Sequence, residues 1–381
     1  MNTLKHRFAE GEQITRELQT AARIAIQDSL KVKEGEQVII VTNPDPDVSL
    51  ISRALYDAVV DVNGCPVLMY QPAKSQLDFA EPAIIAAFEA NPEVFISISA
   101  EKLGKDRRGI ANPYLYEDKK WDNLFHLHMY GRRTCRSFWS PSTTVDSFVR
   151  TVPIDYALLR RQCNAVKQVL DGAVSIHITA PAGTDIIFGL KGRLAMSDDG
   201  DFSAGGQGGN LPAGESFISP ENNTAEGTIM YDGSISLHDR TILIKDPIRC
   251  KLEKGFITSI SGGKDADALL ETITLAEKNA LEFEAAGKLE KGSGAVYAKN
   301  ARGIGEIGIG LNPKATIIGN MLEDEKAFRT CHFAVGSNYD DDAPALIHLD
   351  GLVKEPTIVA IMGDGSRVTI EDRGNLTESF R

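Results

Sequence analysis

Apolar positions in the first third of the chain switch repeatedly between a helical period and short unbroken runs. From Ile14 to Leu30 they recur at three- and four-residue spacing, which predicts a helix. Gln37-Val-Ile-Ile-Val-Thr is a compact apolar run that predicts a buried strand, ended by the breaker cluster Asn43-Pro-Asp-Pro-Asp. Val48 to Val62 returns to helical period, and Pro66-Val-Leu-Met-Tyr reads as a strand. Phe79 to Ala90 and then Val94-Phe-Ile-Ser-Ile-Ser repeat the unit. Strands that are apolar on both faces need cover on both faces, so this alternation predicts a mostly parallel sheet between helices. A loop rich in Lys, Arg and Asp over 101–120 precedes Asn123-Leu-Phe-His-Leu-His-Met-Tyr, which alternates like one more strand.

A connecting helix is predicted from Tyr156 to Val169, closed by Asp171-Gly172, and beyond it the pattern changes. From Val174 onward, short alternating β-branched runs are separated by Gly, Asn and Asp, as in Asp185-Ile-Ile-Phe-Gly-Leu and Gly227-Thr-Ile-Met-Tyr-Asp-Gly-Ser-Ile. That spacing predicts an antiparallel, turn-rich sheet, interrupted by one long helix from about Ala266 to Ala286. The expectation is an α/β protein of two domains. Residues 1–170 form an N-terminal α/β domain with a mostly parallel sheet, and residues 171–381 form a C-terminal α+β domain that carries the chemistry. The 381-residue length fits two domains of ordinary size.

Composition narrows the function classes. Of the residues, 42% are hydrophobic and 25% charged, as in a soluble globular protein. The 53 acids exceed the 41 Lys and Arg, giving a net charge of −12, which repels phosphate backbones and argues against nucleic acid as a partner. Clustered carboxylates attract cations instead. No run approaches the roughly 18 uninterrupted apolar residues of a membrane span, and no membrane partner is expected. The first residues reach charged positions before any apolar run, so no secretory signal is expected. The five cysteines are scattered with no C-x-x-C pair, which fits reduced thiols and a cytoplasmic location.

The candidate chemistry lies in the second domain. In Ile347-His348-Leu-Asp350 the two polar side chains are i and i+2, so on a strand they share a face. Imidazole and carboxylate together are ligands for zinc, cobalt, manganese or iron, and His332, 16 residues before His348, joins them if the chain doubles back. Two acids stand in glycine-rich settings: Glu215 follows Gly205-Gly-Gln-Gly-Gly-Asn-Leu-Pro-Ala-Gly, and Glu306 is embedded in Gly303-Ile-Gly-Glu-Ile-Gly-Ile-Gly-Leu-Asn. An ionised carboxylate in an apolar strand needs a partner, either a bound cation or a basic side chain. Gly303-x-Gly305-x-x-Gly308 spells a dinucleotide fingerprint, but the alternating Ile307, Ile309 and Leu311 lead into Asn312-Pro313 rather than into a helix, so that reading is rejected. His126 and His128 form an H-x-H pair expected to face one way in a structural or substrate-contacting role. Asp340-Asp341-Asp342 reads as a solvated loop.

Taken in order, Asn210-Leu-Pro-Ala-Gly-Glu215, Gly305-Glu306-Ile-Gly-Ile-Gly-Leu-Asn, Thr330-Cys-His332-Phe-Ala-Val-Gly-Ser-Asn-Tyr339 and Ile347-His348-Leu-Asp350 resemble the thermophilic aminopeptidase family of metallopeptidases, of the aminopeptidase T and aminopeptidase S type. The resemblance implies a homodimer in which Glu215, Glu306, His332, His348 and Asp350 hold two divalent ions (zinc, cobalt or manganese). Tyr339 falls on the family's active-site tyrosine. The activity implied is a metalloaminopeptidase on small peptides, in which metal-activated water attacks the carbonyl. Glu215 or Glu306 then carries the proton, and Tyr339 donates to the oxyanion. Two departures stand beside the site: the short spacing from His332 to His348, and Arg329 where the family usually has Gly, a guanidinium able to bind a carboxylate. The scaffold is also similar to that of single-metal ring-cleaving or ring-hydrolysing enzymes acting on hydroxypyridines or nitroaromatic acids. The filled set of five ligand positions favours the peptidase over these, and the retained Tyr339 and both glutamates argue against a non-catalytic, metal-stabilised binding protein, since a structural site closes with four ligands.

Overall fold

A computed structural model describes residues 7–8, 14–75 and 78–381. The chain forms two compact units, Met1–Tyr156 with Gly200–Ala213, and Ala157–Asp199 with Gly214–Arg381. The boundary expected near 170 therefore lies inside the helix Tyr156–Gly172, which falls almost wholly in the second unit.

The first unit is built on a parallel five-stranded sheet, in the order Gly208–Asn210, Arg136–Trp139, Val94–Ile98, Gln37–Thr42, Cys65–Tyr70. Its two inner apolar runs are buried along their length, from Val38 to Thr42 and from Val94 to Ile98, as the pattern requires. The breaker cluster after Thr42 starts the next helix: the Asp45 carboxylate accepts from the amides of Asp47 and Val48, and Pro46 opens the helix Pro46–Asp61 with its φ already set. The outermost strand, Gly208–Asn210, comes from the glycine-rich segment and has no apolar signature.

One expected strand is absent. Over 123–130 the chain makes a helical turn, Leu124–His126, and then a π turn, Leu127–Gly131. The Asn123 side chain accepts from the Phe125 amide and starts the turn, so the alternation of Leu, His and Met reflects a tight coil. His126 and His128 consequently do not share a face. His128 is buried with Nε2 2.9 Å from the Phe88 carbonyl, whereas His126 is exposed.

The second unit carries two antiparallel sheets, as its turn-rich pattern predicts. One has seven strands, in the order Thr241–Leu243, Ser234–Ser236, His348–Lys354, Thr330–Gly336, Ile304–Gly310, Glu215–Ile218, Met196–Asp198. The other has eight, with Asp185–Gly189 and Ala173–Thr179 at its centre. The sheets meet through Phe188, stacked on Phe333 at 5.5 Å, and through Tyr231, whose hydroxyl donates to the Phe333 carbonyl at 3.3 Å. Phe333 points into this core, so its neighbours His332 and Ala334 point to the opposite face of the strand. The long helix is Lys264–Ala285. Among the described residues no helix is long and apolar enough to cross a membrane.

Candidate metal centre

The open face of the seven-stranded sheet carries the candidate ligands, and strand register brings them together. Glu215 pairs with Gly310 and Phe217 with Gly308; Gly308 pairs with His332, Glu306 with Ala334, Ala334 with Asp350, and Gly336 with His348. Large functional side chains thus alternate across the sheet with glycine or alanine. The small residues give the ligands room to converge. Gly308 shows this most sharply, because a Cβ there would lie 2.0 Å from His332 Nε2, where the imidazole now crosses the strand. Gly305 is equally constrained by the Ser337 carbonyl, at 2.0 Å from a built Cβ. These glycines of the apparent dinucleotide fingerprint therefore serve strand packing.

Glu306 sits at the centre. Its Oε1 lies 3.2 Å from His332 Nε2 and its Oε2 lies 3.0 Å from His348 Nε2. His332 Nε2 is also 3.4 Å from Glu215 Oε2, and His348 Nε2 is 3.4 Å from Asp350 Oδ1. The His348 Nδ1 donates to the Ser337 carbonyl at 2.8 Å, which turns Nε2 toward the carboxylates. Ligand atoms of Glu215, Glu306 and His332 lie within 4.8 Å of one another, as do those of Glu306, His348 and Asp350. The two sets share Glu306. Glu215 Oε2, Asp350 Oδ1 and His332 Nδ1 are buried without a hydrogen-bond partner, so the cluster has unused donor-atom capacity.

The electrostatics fit a cation-binding centre. Burial opposes charge on Glu306, yet the hydrogen bonds from His332 and His348 hold its carboxyl well below the usual range. Burial likewise disfavours a charged His332, but Glu306 and Glu215 overcome it and raise the imidazole to about 9. His348 is raised well above its ordinary value against desolvation, by Asp350 and Glu306. Protons on the two imidazoles balance the acids here, and a divalent ion can replace them. Tyr339 reaches the same centre from the loop after Gly336: its ring lies 5.3 Å from Phe217 and 5.2 Å from His348, with the hydroxyl 3.5 Å from His348 Nε2. Desolvation first, then the Glu306 and Asp350 charges, raise the phenol and keep it protonated.

A family described as NicX, 2,5-dihydroxypyridine 5,6-dioxygenase, matches residues 142–335, just over half of the chain. The chain belongs to this dioxygenase family. The matched span includes Glu215, Glu306 and His332. A curated relative, the 2,5-dihydroxypyridine 5,6-dioxygenase of Pseudomonas putida KT2440, is 33% identical over 111 residues, 29% of this chain and 31% of that protein. The alignment thus spans about a third of that relative's length. The solved structure of the 2,5-dihydroxypyridine dioxygenase from Pseudomonas putida KT2440 superposes with a TM-score of 0.69 at 18% identity, covering 96% of this chain and 98% of the other. Wild-type AmpT from Thermus thermophilus superposes with a TM-score of 0.63 at 17% identity, covering 95% and 99%.

Membership of a dioxygenase family overturns the aminopeptidase expectation and the hydrolase and protease character that went with it. The likeness to AmpT holds for the fold. One fold serves both chemistries, and a set of His, Asp and Glu ligands accepts many divalent ions, so neither selects a reaction. Arg329 does not supply the expected carboxylate anchor in the site: its guanidinium is 2.8 Å from Glu355, with both side chains about half exposed. Its φ of +70° lies in the left-handed region that favours glycine. The triple Asp is not simply solvated either, since Arg193 pairs with Asp340 and Asp342 at 3.3 and 3.0 Å.

Sequence patterning alone does not reveal Glu325 and Lys326, both of which are part of this centre. Lys326 is fully buried, with Nζ 2.6 Å from Glu215 Oε1 and 2.5 Å from Glu325 Oε1. Burial, reinforced by Glu215 and Asp350 against Lys326, raises the Glu325 carboxyl to about 8. The run Glu323-Asp-Glu-Lys326 has the composition of a solvated surface. It turns inward because Glu323 accepts from the Thr316 amide and Asp324 from the amides of Ile318 and Gly319, which satisfies the acids internally.

Proposed function

We propose that this chain is an iron-dependent dioxygenase that opens a dihydroxylated pyridine ring, with Glu306, His332, His348 and Asp350 holding the ion. What supports the reading is that both imidazoles reach the buried Glu306 carboxylate, His332 at Oε1 and His348 at Oε2, with Asp350 beside His348, in a chain of the dioxygenase family. Two histidines with a carboxylate and open positions are the donor set of non-haem iron oxygenases. An iron(II) ion bound there would supply the one-electron chemistry that lets O2 react with an electron-rich ring.

The chain's own residues account for binding and proton handling. Phe217 and Tyr339 provide apolar ring faces beside the ligands, suited to a flat heteroaromatic substrate. Glu215 Oε2 faces His332, and burial raises its carboxyl above the usual range, so it is a stronger base toward a ring hydroxyl than an exposed glutamate. Tyr339, protonated and next to His348, donates a hydrogen bond to substrate oxygen. The substrate class follows from the relative's name: 2,5-dihydroxypyridine, oxygenated across carbons 5 and 6.

The test is oxygen uptake by metal-stripped protein reloaded anaerobically with iron(II), on addition of 2,5-dihydroxypyridine. The expected result is one O2 consumed per ring lost, with the metal-free and zinc-loaded proteins inactive. A folded, iron-loaded protein that leaves the ring and the oxygen untouched would sink the proposal.

A further inference from the structure

Tyr339 stands on a segment with no strand or helix of its own, residues 337–347, between the strands that carry His332 and His348. The residue is 52% exposed, so packing against Phe217 and His348 does not by itself fix where its hydroxyl points. Its position depends on what ties the segment down.

A charged tie comes from the other sheet. Arg193 follows the strand Asp185–Gly189 and a turn in which its amide donates to the Leu190 carbonyl at 3.1 Å. Its side chain is only 11% exposed. Nη1 lies 3.0 Å from Asp342 Oδ2 and 3.3 Å from Asp340 Oδ2, and Nη2 lies 3.4 Å from Asp342 Oδ1. One guanidinium thus grips Asp342 with both nitrogens and reaches the acid two residues earlier, a geometry that its planar fork allows and a lysine ammonium does not. Asp342 passes the restraint back toward the phenol, because Asn338, the residue before Tyr339, donates from Nδ2 to Asp342 Oδ1 at 2.5 Å. Neutral contacts complete the tether. Asn222 and Asn300 donate to the carbonyls of Asp342 and Pro344 at 3.4 and 3.0 Å, and the Tyr339 amide donates to Ser219 Oγ at 3.3 Å.

We infer that Arg193 is a positioning residue: its clasp on Asp340 and Asp342 holds the segment so that the Tyr339 hydroxyl stays beside His348, 3.5 Å from Nε2. The inference rests on the reading of Tyr339 as a donor to substrate oxygen, whereas the clasp itself is a property of the segment.

The experiment pairs turnover of 2,5-dihydroxypyridine by the iron-loaded protein with amide hydrogen exchange of the same protein. Arg193→Gln is expected to raise exchange over 337–347 about tenfold, with the strand Thr330–Gly336 unchanged. It should lower kcat about tenfold and leave iron binding intact. In the Tyr339→Phe background, already lowered about 100-fold, the same change should cost nothing further, because no hydroxyl is left to place. Wild-type exchange over 337–347, a wild-type kcat, or a further loss in the Tyr339→Phe background overturns the inference. Where Arg193→Gln does not fold, Asp342→Ala, at the half-exposed end of the clasp, is read in the same way. Should the wild type leave the ring untouched, the proposed reaction fails and the exchange comparison alone decides: a rise confined to 337–347 supports the clasp, and equal exchange overturns it.

Discussion

Gly308→Ala is the substitution with the most direct structural consequence. The added Cβ would fall 2.0 Å from His332 Nε2 and 2.1 Å from Cε1, while ordinary contact begins at 3.4 Å, so the imidazole must retreat by about 1.4 Å. The present separation of 3.2 Å from Glu306 Oε1 would then exceed hydrogen-bonding distance. Metal ligation tolerates displacements of only about 0.2 Å. Disturbing groups that orient ligands typically costs 10- to 100-fold in affinity, and displacing the ligand itself is expected to cost at least about 100-fold here. The accompanying overpacking should destabilise the fold by about 1–3 kcal/mol. The assay is competition between the protein and a chelator for iron(II) or manganese(II), with thermal melting to follow the fold. Gly363→Ala is the control, because the nearest atom to its Cβ is 3.8 Å away. Wild-type metal affinity in a folded Gly308→Ala protein would refute the placement of His332 in the centre.

Three further substitutions separate chemistry from scaffold. Tyr339→Phe should leave metal binding intact and lower turnover by about 100-fold, measured as oxygen uptake; loss of the metal instead would place the phenol among the ligands. Arg329→Ala should change stability by less than about 1 kcal/mol and leave the KM unchanged, because the ion pair with Glu355 is surface-exposed; a large KM increase would return the guanidinium to the substrate. Glu371 is fully buried, with neither carboxylate oxygen hydrogen-bonded, and burial raises its carboxyl from 4.5 to about 8. A carboxyl raised on folding favours the folded state below pH 4.5, and that contribution is lost as pH rises through about 8. The loss is up to about 1.4 kcal/mol per pH unit, and Glu371→Gln should remove that slope from melting temperatures measured between the two values. Parallel curves for the two proteins would count against the burial argument.

Unbroken apolar runs, period-two alternation and helical spacing make the parallel sheet, the antiparallel character of the second unit and the long helices legible, because each depends on which faces of an element are buried. The same rule puts His348 and Asp350 on one face of a strand, and the unusual setting of Glu306 in an apolar run marks it as paired. What cannot be read locally is register. Convergence of Glu215, Glu306, His332 and His348 depends on Gly310, Ala334, Gly308 and Gly336 standing opposite them in turn, which is a property of three strand pairings. Lys326 is hidden in the sequence because a charged run ordinarily faces water, and its burial depends on distant backbone amides that satisfy Glu323 and Asp324. Over 123–130 the Asn123 cap outweighs an alternating pattern. The reaction itself is the least legible feature, since peptidase and dioxygenase share this fold and these ligand types suit several metals.

In the proposed reaction the metal centre directs molecular oxygen onto a ring. Its most direct test is turnover of 2,5-dihydroxypyridine by the iron-loaded protein under oxygen-18 gas in unlabelled water, with mass analysis of the ring-opened product. Both labelled atoms from one O2 are expected in the product. A ring-opened product that carries its new oxygen only from water would show hydrolysis and contradict the account.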